Sequence, residues 1–142
     1  MPIEIRILRG GDETVLDRVA SDVFDDPIVP QRAKEFLNDP RHHLAVAMDE
    51  STVIGFASAV HYVHPDKSHP ELWIDELGVS PTHQNRGIGK SLMRALLQVA
   101  RKLGCVEAWV LTERDNGPAM HLYGSLGGEE ASPETVMFTF HL

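Results

Sequence analysis

Asp75-Glu76-Leu77-Gly78-Val79-Ser80-Pro81-Thr82-His83-Gln84-Asn85-Arg86-Gly87-Ile88-Gly89-Lys90 is the stretch whose reading decides the fold. It reads as a strand carrying two carboxylates, then a tight loop, then a glycine-rich lead-in to an amphipathic helix. Leu72 and Ile74 share one parity, Leu77 and Val79 share the other, and the change falls across Asp75-Glu76. One extra residue in a strand turns every later side chain to the opposite face, so the change of phase predicts a β-bulge with backbone groups left free for a ligand. The alternative is a strand buried on both faces, where phase carries no meaning.

After the loop, Ile88, Leu92, Ala95, Leu96, Val99 and Leu103 recur on one helical face, and Gly104 is a stop signal. Gln84-Asn85-Arg86-Gly87-Ile88-Gly89-Lys90 brings backbone N–H groups, with no side chain at two positions, to the positive end of that helix. This predicts a seat for a pyrophosphate. A Walker loop is excluded, because His83-Gln84 stands where its first glycine is required ahead of Gly89-Lys90-Ser91. A dinucleotide fingerprint is excluded as well, since it needs a third glycine beyond Gly87 and Gly89.

Working outward to the N-terminus, Ile3, Ile5 and Ile7 alternate with Glu4 and Arg6 as in a strand with one buried face. Asp12 as cap and Val15, Leu16, Val19, Ala20, Val23 and Phe24 as a stripe predict a helix running to the Asp25-Asp26-Pro27 break. A shorter helix follows Pro30, with Ala33, Phe36 and Leu37 as its stripe, and stops at Asn38-Asp39-Pro40. Runs from His43 to Met48 and from Thr52 to Val63, separated by Asp49-Glu50-Ser51, predict an antiparallel hairpin. The segment from His64 to Pro70 reads as an exposed loop.

On the C-terminal side, Val106 to Leu111 reads as a strand. A short helix follows, capped by Asn116, with Pro118 in its first turn and Gly127 at its end. Val136, Phe138 and Phe140 alternate with Met137, Thr139 and His141, which predicts a final strand closing the sheet. Nothing marks a repeat or a linker, and 142 residues suit one domain spanning 1–142.

With 42% hydrophobic and 24% charged residues, the composition is that of a soluble chain, and no apolar run approaches the roughly 20 residues of a membrane span. The first residues show no secretory leader, and the lone Cys105 suits a reducing cytoplasm, so a cytoplasmic location without membrane contact is expected. A net charge of -8 argues against nucleic acid as a partner and suits a cationic ligand. His61, His64 and His69 lack a metal-ligand spacing, and no metal is expected. Cys105 reads as packing rather than as a nucleophile. Tyr123, on the side of Ala119, Leu122 and Leu126, reads by itself as a core residue with a satisfied hydroxyl.

Taken together, the chain resembles the GNAT family of acetyl-CoA-dependent N-acetyltransferases. Gln84-Asn85-Arg86-Gly87-Ile88-Gly89 matches that family's Gln/Arg-x-x-Gly-x-Gly/Ala signature. Asn116, Ala119, Leu122, Tyr123, Leu126 and Gly127 match its later Asn-x-x-Ala-x-x-Leu-Tyr-x-x-Leu-Gly pattern. Within the family, Glu76-Leu77-Gly78-Val79, Leu122-Tyr123-Gly124-Ser125-Leu126-Gly127 and the ending Glu134 to Phe140 look most like the aminoglycoside 3-N-acetyltransferases. The resemblance implies an α/β fold, of α+β character, with a mixed central sheet of six to seven strands and about four helices. It also implies acetyl-CoA as cofactor, a small cationic amine as acceptor, antibiotic resistance as the role, and a homodimer.

The resemblance further implies Glu76 as general base, directly or through water, with Asp75 as second choice, and Tyr123 as the acid for the leaving thiolate. Leu77, Gly78, Val79, Gln84, Asn85, Arg86, Gly87, Ile88, Gly89, Lys90, Asn116, Ala119 and Tyr123 would hold the cofactor. Asp22, Asp25, Asp26, Asp75 and Glu76 would form an acidic wall for the acceptor, against the reading that such carboxylates only solvate the surface. Two alternatives stand beside an aminoglycoside-like acceptor. One is a polyamine, peptide amine or other small amine as acceptor, and the other is a regulatory module that binds acetyl-CoA without turnover.

Overall fold

Alternating isoleucines set strand β1 (Ile3–Leu8), and in the computed structural model, which describes residues 2–142, it pairs antiparallel with β2 (His42–Asp49). A turn with Glu50 at φ 57 leads into β3 (Thr52–Tyr62), which pairs antiparallel with β2 and with β4 (Glu71–Val79). β5 (Glu107–Val110) lies parallel to β4, giving one sheet of order β1-β2-β3-β4-β5. The helices are α1 (Pro30–Asn38), α2 (Ile88–Lys102) and α3 (Gly117–Ser125). By its internal contacts the chain divides into two compact units, Met1–Leu111 and Thr112–Leu142.

In the first unit the sheet buries both faces. Leu92 and Leu96 of α2 are fully buried, and the β2 and β3 positions beneath this helix are small, with Leu92 Cδ1 3.4 Å from where a Cβ on Gly55 would stand. Small residues let helix and sheet approach closely. The opposite face carries Leu44, Val46, Val53 and Phe56, packed with Leu8, Leu16, Val23 and Leu37. α2 ends in two wrapping bonds, Gly104 N–H to the Arg101 carbonyl at 3.1 Å and Cys105 N–H to the Ala100 carbonyl at 2.9 Å. Gly104 at φ +84 supplies the left-handed residue that this ending requires.

The bulge expected in the central strand is present. Ser58 of β3 faces Glu76, whereas Ala59 faces Ile74, so Asp75 is the extra residue. The shift puts Leu72, Ile74, Leu77 and Val79 on the α2 side despite their change of parity, and it puts Glu76 and Gly78 on the other.

Three expectations are corrected. Among the described residues the sheet has five strands rather than six to seven, and the chain has three α-helices rather than four. The helix expected from Asp12 to Phe24 is only a 3-10 turn, Glu13–Asp17. Val53 outcompetes it: its N–H donates to the Arg18 carbonyl at 2.8 Å, and its carbonyl accepts from the Ala20 N–H at 2.9 Å. β-branched Val19 suits this extended course, bridging to Val53, and tertiary pairing overrides the helical spacing of the stripe. Leu16 and Val23 still reach the core.

The third correction is the final strand. Residues 136–140 form no strand, and Phe138 and Phe140 are 80% and 82% exposed. Alternation alone makes no strand, because the backbone groups need a partner ladder. In the second unit, α3 is capped as expected, the Asn116 side chain accepting from the Ala119 N–H at 3.2 Å. It closes with Gly127 N–H to the Gly124 carbonyl and Gly128 N–H to the Tyr123 carbonyl, both 3.0 Å.

Gly78 is where the Val23 segment crosses β4, and a Cβ there would stand 2.3 Å from the Val23 carbonyl oxygen and 3.0 Å from Phe56. A backbone atom cannot step aside as a side chain can. Gly78→Ala is therefore expected to destabilise the fold by about 1–3 kcal/mol, measured as a lowered urea midpoint; an unchanged midpoint would show that the crossing is loose.

Candidate active site

The bulge prepares one edge of β4. β5 follows β4 only from Glu71 to Ile74, so from Asp75 to Val79 no strand among the described residues borders that edge. Ser80 N–H donates to the Ile54 carbonyl at 2.8 Å, and in an antiparallel ladder bonded pairs alternate. Gly78 and Glu76 therefore bond towards β3, while the backbone groups of Leu77 and Val79 point to the open edge. The Gln84 side chain confirms this direction by donating to the Val79 carbonyl at 3.1 Å. An extended chain laid along this edge meets the N–H groups of Leu77 and Val79.

The loop from Gln84 to Gly87 then turns into α2, with Asn85 at φ 62 and Gly87 at φ 75. No side chain caps this helix start, so the N–H groups of its first turn, from Ile88 to Lys90, lack an intrahelical acceptor. Ahead of the loop, four side chains form a hydrogen-bonded chain: Ser80 Oγ to Thr82 Oγ1 at 2.9 Å, Thr82 Oγ1 to His83 Nδ1 at 2.7 Å, and His83 Nε2 to Asp49 Oδ2 at 2.9 Å. This chain ties the loop to the β2–β3 turn. The arrangement of amides and dipole fits an anion, and with the open edge of β4 it fits a pyrophosphate carrying an extended arm.

Beside β4 lies a cavity of about 320 Å³, lined by four carboxylates, those of Asp25, Asp26, Asp75 and Glu76, together with Phe24, Phe56, Ser58 and Arg32. The Arg32 guanidinium is held by Glu35 at 2.6 Å, which leaves the carboxylates to set the field. Burial, and then the charges of Asp75, Asp25 and Asp26, push the Glu76 carboxyl above its ordinary pKa. Such a group is a stronger base than a free carboxylate. Phe24 stacks on Phe56 with ring centroids 3.8 Å apart and forms an apolar wall. Asp22 does not line this cavity; it lines a second one of about 510 Å³, which shares Asp25 and Asp26.

Asn116, Ala119 and Tyr123 are together on α3 in the second unit, and burial raises the Tyr123 hydroxyl's pKa. Among the described residues no cluster of His, Cys, Asp and Glu has metal-binding geometry. His64 Nε2 pairs with Glu71 at 2.6 Å, and His61 Nδ1 with His43 Nε2 at 2.8 Å. Burial, with the neighbouring His61 and His42, pushes His43 down to about 4, so it is neutral at pH 7. Burial raises the Cys105 thiol's pKa, which disfavours a nucleophilic thiolate. Sequence reasoning missed Ser58, the aromatic pair and the Asp49–His83 link. Only Ser58 left a signal, as the lone hydroxyl in the apolar run from Val53 to Ala59.

Residues 13–127 match the family model described as the Acetyltransferase (GNAT) family. The chain belongs to the GNAT acetyltransferases. The N-alpha-acetyltransferase RimI of Mycobacterium tuberculosis is 33% identical over 129 residues, covering 89% of this chain and 78% of RimI. Streptothricin acetyltransferase of Streptomyces lavendulae is 36% identical over 89 residues, which cover 63% of this chain but only 44% of that protein. An aminoglycoside acetyltransferase from an uncultured soil metagenomic sample shares the fold with a TM-score of 0.83 at 20% identity, covering 100% of this chain and 99% of its own. No helix among the described residues is long and apolar enough to cross a membrane.

GNAT enzymes take their acetyl group from acetyl-CoA, and the open edge of β4 and the uncapped start of α2 fit its arm and its pyrophosphate. At Gly87, a Cβ meets nothing within 4 Å, but φ is +75. Gly87→Ala is thus expected to cost about 1–2 kcal/mol in the left-handed conformation and to weaken acetyl-CoA binding, read by titration calorimetry. Unchanged affinity would mean that the loop does not need this turn.

Proposed function

We propose that this GNAT enzyme acetylates a cationic primary amine on a small, aminoglycoside-like molecule. The observation that supports it best is the cavity in which four carboxylates surround one apolar wall, with Glu76 at the bulge beside the open strand edge. Acidic lining attracts a polycation, and the apolar wall suits the faces of its rings. The resemblance of residues 76–79, 122–127 and 134–140 to the aminoglycoside 3-N-acetyltransferases supports an aminoglycoside-like acceptor.

When bound, acetyl-CoA supplies a thioester carbonyl carbon as electrophile and a thiolate as leaving group. The acceptor arrives as an ammonium, which has no lone pair for attack. Glu76 takes one proton from it, with Asp75 holding the field negative beside it. The freed nitrogen then forms the C–N bond as the C–S bond breaks. The N–H groups of Leu77 and Val79 stabilise charge on the carbonyl oxygen. On the sequence resemblance we assign Tyr123, whose pKa burial raises, as the acid for the departing sulfur; the nitrogen's surplus proton passes through water to restore Tyr123, and Glu76 releases the proton it took to solvent. The net yield is one amide, one thiol and one released proton.

A second reading, with the α-amine of a peptide as acceptor, is favoured by the likeness to RimI. Thiol release measured with a panel of aminoglycosides, polyamines and peptides decides between them. Aminoglycosides are expected to turn over best, a preference for peptides would transfer the assignment to the second reading, and tight acetyl-CoA binding without release for any amine would leave a regulatory module.

Because Glu76 must be ionised to act and burial raises its pKa, kcat/KM for the amine should increase with pH through a value above the ordinary glutamate pKa. Glu76→Gln should abolish that limb and lower kcat by about 10²–10⁴-fold, with acetyl-CoA affinity intact. Full activity in the variant would remove Glu76 as the base.

A further inference from the structure

Ser58 is buried, at 6% exposure, and its hydroxyl has no hydrogen-bond partner among the described residues. A buried, unpaired hydroxyl is costly, and such groups call for a partner that comes from elsewhere. The neighbouring core positions on β3, Phe56, Ala57 and Ala59, are apolar, and alanine at position 58 would satisfy packing without this cost. The hydroxyl is therefore not explained by folding.

Its position is informative. Ser58 lies directly across from Glu76, at the point where the β3–β4 register shifts. Residues facing each other on antiparallel strands place their side chains on the same side, about 4.5–5.5 Å apart at Cβ. Both line the cavity with the three aspartates, Asp25, Asp26 and Asp75, yet no hydrogen bond joins them. A hydroxyl moves between staggered wells by turning χ1 alone, so Oγ can follow a polar group that enters the cavity.

We propose that Ser58 is a binding residue for the reacting amine, its Oγ accepting one N–H while Glu76 receives the proton that the ammonium gives up. This rests on the acyltransfer reading above and adds to it. Two groups on one nitrogen, a neutral acceptor and a charged base, fix the direction of its lone pair. A carboxylate alone would let the ammonium rotate. The acceptor needs two N–H groups as the ammonium, one for Ser58 and one for Glu76, and the C–N bond forms on the lone pair that Glu76 frees; an unhindered primary amine meets this with least crowding.

The test compares the 142-residue chain with its Ser58→Ala variant, using sisomicin and spermidine as amines at saturating acetyl-CoA. Ser58→Ala should lower kcat/KM for the amine on the order of 10- to 100-fold, with the KM for acetyl-CoA unchanged and the melting temperature equal or higher. Ser58→Cys, which keeps the volume but offers a weak acceptor, should recover only part of the loss. Wild-type kcat/KM for the amine in Ser58→Ala would overturn this inference and leave the acetyltransferase reading standing. A lowered melting temperature with a parallel loss of acetyl-CoA affinity would overturn it in favour of a structural hydroxyl. A wild-type protein that turns over no amine in the panel would overturn the reading itself and this inference with it.

Discussion

One surplus residue in β4 organises the first unit. With Asp75 unopposed between the Ser58–Glu76 and Ala59–Ile74 pairs, the strand keeps four apolar side chains under α2 although their sequence parity changes. The other face receives Glu76 and Gly78. A carboxylate arrives in the cavity, and a position without a side chain arrives where the Val23 segment must cross. A regular strand would meet only one of these demands, because its period of two ties the faces together along its length.

Much of this was legible because it is written in local rules. The bulge showed in the parity change, the α2 boundaries in Gly87 and Gly104, and α3 in Asn116 and Gly127, since caps and turns depend on a few adjacent residues. The helix misread between Asp12 and Phe24 has the opposite origin. Its stripe was real and does reach the core, but Val53, distant in sequence, supplied backbone partners that a pattern of side chains cannot reveal. Residues 136–140 erred the same way, as a strand pattern without a ladder. Within the proposed site, Glu76 and the glycine loop are candidates that local sequence patterns supply. Ser58, the Phe24–Phe56 stack and the Asp49–His83 link come from contacts between separate elements.

The two ends of the proposed reaction use different physics. At the start of α2 the work is done by backbone: amides without acceptors and a helix dipole, which require only that side chains stay out of the way. In the cavity it is done by burial first and then by charge, where Asp75, Asp25 and Asp26 add to the rise in the proton affinity of Glu76. Backbone recognition tolerates change in most side chains, whereas the cavity's field depends on every carboxylate. Acceptor preference can therefore drift while cofactor binding persists.

The stretch of β4 edge that no strand among the described residues borders has a consequence for colloidal behaviour. A naked strand edge is a template on which a second polypeptide can add by backbone pairing, the first step of many aggregates. From Asp75 to Val79 this edge begins with two adjacent acids, and its last carbonyl is occupied by the Gln84 amide. A like copy approaching in register would bring carboxylate against carboxylate, and it would find Val79 already engaged. The two acids and the Gln84 contact thus work against self-pairing on the same edge proposed for an extended ligand.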